Sequence, residues 1–104
     1  MEGGPIMKAA IVVSGSSPIL VLTTYEHLAS AKFAEKLEQK GIKKYIALEL
    51  PLEMVKERYG HHYEVIMEDL KQTDDLRVLD YDGHHVYLTF KFSEMGKAIY
   101  HEAS

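Results

Sequence analysis

The sequence predicts an α/β domain of the α+β, two-layer kind: a mixed sheet of four to five strands, two to three covering helices and a C-terminal β-hairpin. Three observations carry that expectation. Short apolar runs rich in β-branched residues stand at 7–13, 19–24 and 45–50, which is the pattern of strands. Between and after them, apolar residues recur three and four apart, the spacing of one face of a helix. Near the C-terminus, Asp82-Gly83 divides two runs of strand-forming residues, and that dipeptide is a strong signal for a two-residue hairpin turn.

The elements follow in order. The first two apolar runs are punctuated by Ser14 to Pro18 and read as two strands joined by a tight loop. Neither run alternates cleanly, so both faces of these strands are expected to be covered, as in central strands. Thr23 and Glu26 have capping-box spacing, and Ser30 is a second candidate N-cap. Phe33, Ala34 and Leu37 share one face, and Gly41 suits the position just past a helix end. These signals predict a helix over about 28–40. Residues 45–50 form a third strand, Pro51 opens a second helix, and Gly60 ends it. The segment 61–70 fits a strand, with Tyr63, Val65 and Met67 on one face. It fits a helix better, because Tyr63, Ile66, Met67 and Leu70 form a stripe and good helix formers fill the rest. Residues 72–75 form a polar loop, and the tail from Ser93 forms one helical turn or an extended arm.

Size and composition bound the function. The 104 residues make one globular domain, 1–104, with 1–5 and 101–104 expected to fray. There is no cysteine, which excludes disulfides, cysteine-based zinc sites and thiol catalysis. It also fits a reducing compartment, and the cytoplasm is the expected location. The apolar stretch from Ala9 to Leu22 is too interrupted for a membrane span. Net charge is −4, whereas nucleic-acid binding calls for a basic surface. No nucleic-acid or membrane partner is therefore expected. Lysines cluster over 32–44 and acids over 64–82, an asymmetry able to steer self-association.

The hairpin holds the densest group of chemically able side chains. With a type I′ turn at Asp82-Gly83, Asp80 opposes His85, Tyr81 opposes His84 and Leu79 opposes Val86. Leu79, Val86, Leu88 and Phe90 then share the apolar face. Adjacent strand residues point to opposite faces, so His84 and His85 do not converge on one ion. Asp80 and His85 do share a face, and an aspartate can fix the tautomer of an imidazole, as in general-base sites. Asp80 and His85 are thus the catalytic candidates. The simpler reading of the same contact is a cross-strand ion pair on a sheet surface, since such pairs are common and no nucleophile is identifiable.

His61 and His62 follow Gly60 at a helix end, where a dipole contact is the simplest role. Together with His84, His85 or Asp82 they are also candidates for a two-histidine, one-carboxylate site for a divalent metal such as zinc, iron or nickel. No HExxH-like spacing accompanies them. The stretch Ser14-Gly15-Ser16-Ser17 lacks the helix that a phosphate loop feeds. Seven tyrosines and five methionines suit a contact surface.

Two functional expectations result. The first is a small soluble binding or interaction domain without a cofactor, self-associating as a homo-oligomer or meeting a protein partner. A free sheet edge through Lys91 and Phe92 would serve it. The alternative is a small metal-dependent or acid–base enzyme built on the Asp/His group of the hairpin.

Overall fold

The turn after the first apolar run sets the first pairing. In the computed structural model, which describes residues 7–73, 75–91 and 95–103, β1 (Lys8–Ser14) and β2 (Ser17–Thr23) run antiparallel. Their register extends from Lys8 opposite Thr23 to Ser14 opposite Ser17. Ser30 then caps α1 (Ala31–Gln39), its hydroxyl accepting the Phe33 N–H at 3.2 Å. The rival cap, Thr23, stays in β2, fully buried, where its hydroxyl accepts the Tyr25 N–H at 3.1 Å. Hence α1 begins at Ala31 rather than near residue 28.

β3 (Lys44–Leu50) follows, and Pro51 leads into α2 (Leu52–Tyr59). Gly60 has φ +53°, a left-handed value that breaks the helix without the cost a side chain would add. Its N–H still donates to Lys56 O at 2.8 Å, and its carbonyl accepts from the Glu64 N–H at 3.2 Å. α3 (His61–Leu70) starts immediately, so this segment takes the helical reading. His61 and His62 therefore open a helix rather than closing one. β4 (Leu76–Asp80), α4 (Gly83–Thr89) and β5 (Ala98–Glu102) complete the chain.

The sheet has strand order β4-β2-β1-β3-β5, and every pairing is antiparallel. It is an α+β fold, with an antiparallel rather than a mixed sheet. The reason lies in the first hairpin. The crossover through α1 does return β3 in the same direction as β2, but β1 already occupies the place between them.

Helices cover both faces, giving three layers instead of two. Phe33 and Leu37 of α1 pack with Ala10, Val12, Val21 and Tyr45 on one face. Val55, Tyr63, Leu70 and Val86 of the other helices pack with Ala9, Ile11, Leu20 and Leu22 on the opposite face. This is what the unalternating apolar runs of β1 and β2 demand, since neither face of those strands tolerates water.

The C-terminal part of the chain supplies two strands and reverses at Asp82, as the hairpin reading requires. The returning limb, however, is helical, and β4 and β5 lie at opposite edges of the sheet. Asp82 acts as an N-cap, with Oδ1 accepting the His85 N–H at 3.2 Å. Val86 and Phe90, four residues apart, are buried, while Leu88 is 67% exposed. That is helical and not strand spacing. His101 and Glu102, expected to fray, belong to β5. Lys91 lies outside any strand, and Phe92 is outside the described residues; the edges of the sheet are β4 and β5 instead.

Gly83 is where α4 meets β2. A Cβ there would sit 2.9 Å from both Cδ and the carbonyl oxygen of Pro18. Alanine is the better helix former by about 1 kcal/mol, yet Gly83→Ala is expected to destabilise the protein by about 1–3 kcal/mol through overpacking. Urea unfolding checks this, and a stabilised variant would refute the close approach.

Candidate functional site

A β-bulge builds the site. Val78 pairs with Val21, but the next β2 residue, Leu20, pairs with Asp80, leaving Leu79 as an extra residue. An extra residue shifts the side-chain alternation beyond it. Val78 packs with the α1-side core, whereas Leu79 joins the core beneath α2, α3 and α4. Asp80, opposite Leu20, therefore reaches the three-helix face. The Leu79 carbonyl is taken by His62 of α3, whose Nε2 lies 2.8 Å away. A carbonyl only accepts, so Nε2 carries the proton there.

Asp80 is a hub with three donors. Tyr59 OH donates to Oδ2 at 2.7 Å, His85 Nδ1 lies 2.7 Å from the same oxygen, and the Asp82 N–H donates to Oδ1 at 2.9 Å. The carboxylate is 14% exposed and the His85 side chain 56%. Burial alone would raise the Asp80 pKa, but the hydrogen bonds from Tyr59, His85 and the Asp82 amide outweigh it and hold the carboxyl below its ordinary value. The Tyr59 hydroxyl moves the other way. Burial, and then the Asp80 carboxylate it donates to, push it well above the usual phenol range. The Tyr59 ring stacks on Phe90 at 6.2 Å and meets His85 edge-on at 5.8 Å, while the Arg58 guanidinium lies 4.9 Å from the Phe90 ring centre.

The chemistry open to this group follows from its hydrogen bonds. With Nδ1–H committed to Asp80, neutral His85 presents Nε2 as an acceptor. The nearest hydroxyl, Thr89 Oγ1, is 3.4 Å from Nε2 but donates to the His85 carbonyl at 2.7 Å. A base is oriented here, and the Thr89 hydroxyl proton is directed to the His85 carbonyl instead.

The structure thus joins Asp80, His85 and Asp82 in one cluster. It does so through a helix cap and not through opposed strands. His62 is bound to the bulge carbonyl. His61 lies exposed at the start of α3, and His84 is exposed on α4 beside a shallow pocket shared with Ser16 and Ser17. Among the described residues no three histidine, aspartate or glutamate side chains are placed to share a metal ion. Tyr59 was not foreseen as a member of the cluster; its position eight residues past Pro51 carries no signal that it would reach β4.

A second polar node also went unforeseen. Asp75, in the loop read only as polar, accepts from the Leu76 N–H at 2.7 Å, pairs with Lys36 of α1 at 3.4 Å and bonds Arg77. Its backbone N–H donates to Thr24 Oγ1 at 2.9 Å. Burial opposes ionisation of Asp75, yet the Arg77, Leu76 and Lys36 contacts bring its carboxyl down to about 2.

Away from these clusters the surface has an apolar side. α4 packs on β2, α3 on β4 and β2, and α2 on β1, so the helices on that face lie chiefly over one half of the sheet. In the other half, Ile46 and Tyr100 sit directly opposite each other and are 39% and 62% exposed. Between the two halves an open cavity of about 350 Å³, floored by Ile11, Val13, Val86 and Phe90, runs along α4. Val13 lines this cavity and also the hollow beside Ile46 and Tyr100.

Comparison with known proteins gives no match to a family model, to a curated protein or to a solved structure. Among the described residues no helix is long and apolar enough to cross a membrane.

Both depressed carboxylates link stability to acid. A group whose folded pKa lies below its unfolded value stabilises fully above the unfolded value and loses that contribution as pH falls through the folded one. The urea midpoint is expected to fall from about pH 4, the ordinary aspartate range, toward about 2, where Asp75 protonates. Asp75→Asn and Asp80→Asn should each flatten that fall. Unchanged slopes in both variants would show that neither node carries the linkage.

Proposed function

We propose that this chain is a small interaction module that self-associates as a homo-oligomer through the uncovered half of its sheet. The observation that carries the reading is the exposed cross-strand pair Ile46 and Tyr100, on a strip the helices leave largely open. Paired apolar side chains on one sheet face gain from being covered, at about 25 cal/mol per Å² removed from water. The acidic balance, net −4, speaks against a nucleic-acid partner. The absence of cysteine suits work in a reducing cytoplasm.

Native mass spectrometry from about 1 to 100 µM protein, a range that reports dissociation constants typical of modest interfaces, tests the reading. An oligomer that grows with concentration is expected. Ile46→Glu should shift it to monomer while changing the urea unfolding free energy by no more than about 0.5 kcal/mol, as for a surface site. A wild-type monomer throughout the range would overturn the proposal.

A second reading, acid–base catalysis, is favoured by the exposed Nε2 of an imidazole whose Nδ1 faces Asp80 at 2.7 Å. Here hydrolysis of an activated aryl ester is the expected activity, with its rate falling by roughly 10²-fold or more in His85→Gln, the usual scale of a general base. Equal rates for the two proteins would remove this reading.

A further inference from the structure

An antiparallel sheet leaves hydrogen-bonding groups unpaired at each end, and the two ends of this sheet differ. At one end, β4 is bulged and carries Arg77 paired with Asp69 at 2.8 Å together with the engaged Asp80. Bulges and charges are the devices by which edges avoid pairing with another chain. At the other end, β5 reads Ala-Ile-Tyr-His-Glu, with no bulge, proline or lysine within it. Among the described residues no further strand pairs with it.

The direction of its free groups follows from the ladder. The Ala103 N–H donates to Lys43 O at 2.8 Å, which continues the register in which His101 opposes Tyr45 and Ile99 opposes Ala47. Hydrogen-bonded and non-hydrogen-bonded pairs alternate in an antiparallel ladder. His101 and Ile99 therefore point their backbone groups toward β3, and Ala98, Tyr100 and Glu102 point theirs outward. The outward set is spaced two apart and centred on Tyr100, which makes it its own complement under a two-fold rotation.

We infer that β5 pairs antiparallel with β5 of a second copy of this chain, about a two-fold axis at Tyr100, joining the two sheets into one. This rests on the self-association proposed above and names its partner and geometry. Tyr100 then faces Tyr100 of the second copy, and Ala98 faces Glu102. Each pair exchanges two backbone bonds, and no like charges are directly opposed. Slipping the register by one residue in either copy would set outward groups against inward ones and lose the bonds. Slipping it by two leaves part of the strand unpaired. The rotation keeps faces together, so Ile46 and Tyr100 of both copies form one apolar strip across the junction, an isologous contact of the usual closed kind.

The chain has no native cysteine, so single cysteines report the register cleanly. Facing Cα atoms in a hydrogen-bonded pair lie about 5.5 Å apart, within disulfide reach. Under mild oxidation Tyr100→Cys is expected to give roughly tenfold more covalent dimer than Ile99→Cys, whose thiols in this register face His101 of the other copy. Because that change removes the Tyr100 ring, the second test keeps it: Ala98→Cys mixed with Glu102→Cys should give the crosslinked heterodimer. Crosslinking in both tests supports the inference. A wild-type dimer by native mass spectrometry without either crosslink overturns the β5 pairing and leaves the interaction reading standing. A wild-type monomer at about 100 µM, a weak interface by affinity arithmetic, overturns both.

Discussion

The extra residue in β4 determines where the Asp80 carboxylate goes, and the C-terminal half of the molecule is arranged around that carboxylate. Without the bulge, strict alternation would send Asp80 to the α1 face, away from the elements it joins. With it, one side chain receives Tyr59 from α2, His85 from α4 and the backbone of the loop between β4 and α4. A bulge breaks its ladder locally, and the carbonyl of the extra residue is matched by His62 Nε2. A buried carboxylate without partners would cost several kcal/mol; here each bond that satisfies it also fixes a helix. α4 has only seven residues, too short to be stable from its own hydrogen bonds. Its N-cap, the Asp80–His85 contact and the burial of Val86 and Phe90 hold it in place.

The same economy of chain length shapes the surface. α1 covers one face, and three short helices share the other. Their length is used over β4, β2 and β1, where Ile11, Leu20 and Leu22 are almost fully buried. β3 shows the boundary within one strand: Leu50, next to α2, is buried, while Ile46, on the same side two alternations away, is partly open. An arrangement of this kind leaves part of the sheet uncovered by the helices, and Ile46 and Tyr100 are exposed there; the proposed self-association draws on that strip.

Much of this was legible from the sequence, and what was not has specific causes. The strands at 8–14, 17–23 and 44–50 follow from short apolar runs, whereas the helix at 61–70 needed its helix-forming residues to decide between two apolar spacings. The Asp80–His85 contact was also foreseen, but through a mechanism that does not operate. Asp82-Gly83 was taken for a turn between strands, whereas an aspartate before a glycine is also an N-cap, and local chemistry does not separate the two. Val86 and Phe90 fit both periods, since four is a multiple of two and close to 3.6. Leu88 alone distinguishes them, and an apolar residue on a surface carries no warning. Tyr59 and the bulge were beyond reach because both depend on which strand β4 lies beside, a fact of topology. The mixed-sheet expectation failed on the same ground: the hairpin partner of β2 fills the place that a parallel neighbour would need.

The candidate metal ligands show how much a site depends on geometry as well as on residue type. Four histidines within 61–85 look like a ligand set. In the fold, each is governed by its own element: His62 by a bulge carbonyl, His85 by a carboxylate and a helix cap, and His61 and His84 by exposed first turns of separate helices. What places His62 and His85 is the need to complete β4 and α4. The bulge that creates that need also blunts the β4 edge. Protection of one edge and organisation of the polar cluster are therefore two consequences of the same extra residue. The opposite edge has no such residue, and among the described residues no further strand pairs with it. Chemistry has been gathered at one end of this sheet and pairing capacity left at the other, which is why the interaction reading draws on β5 and the catalytic one on β4.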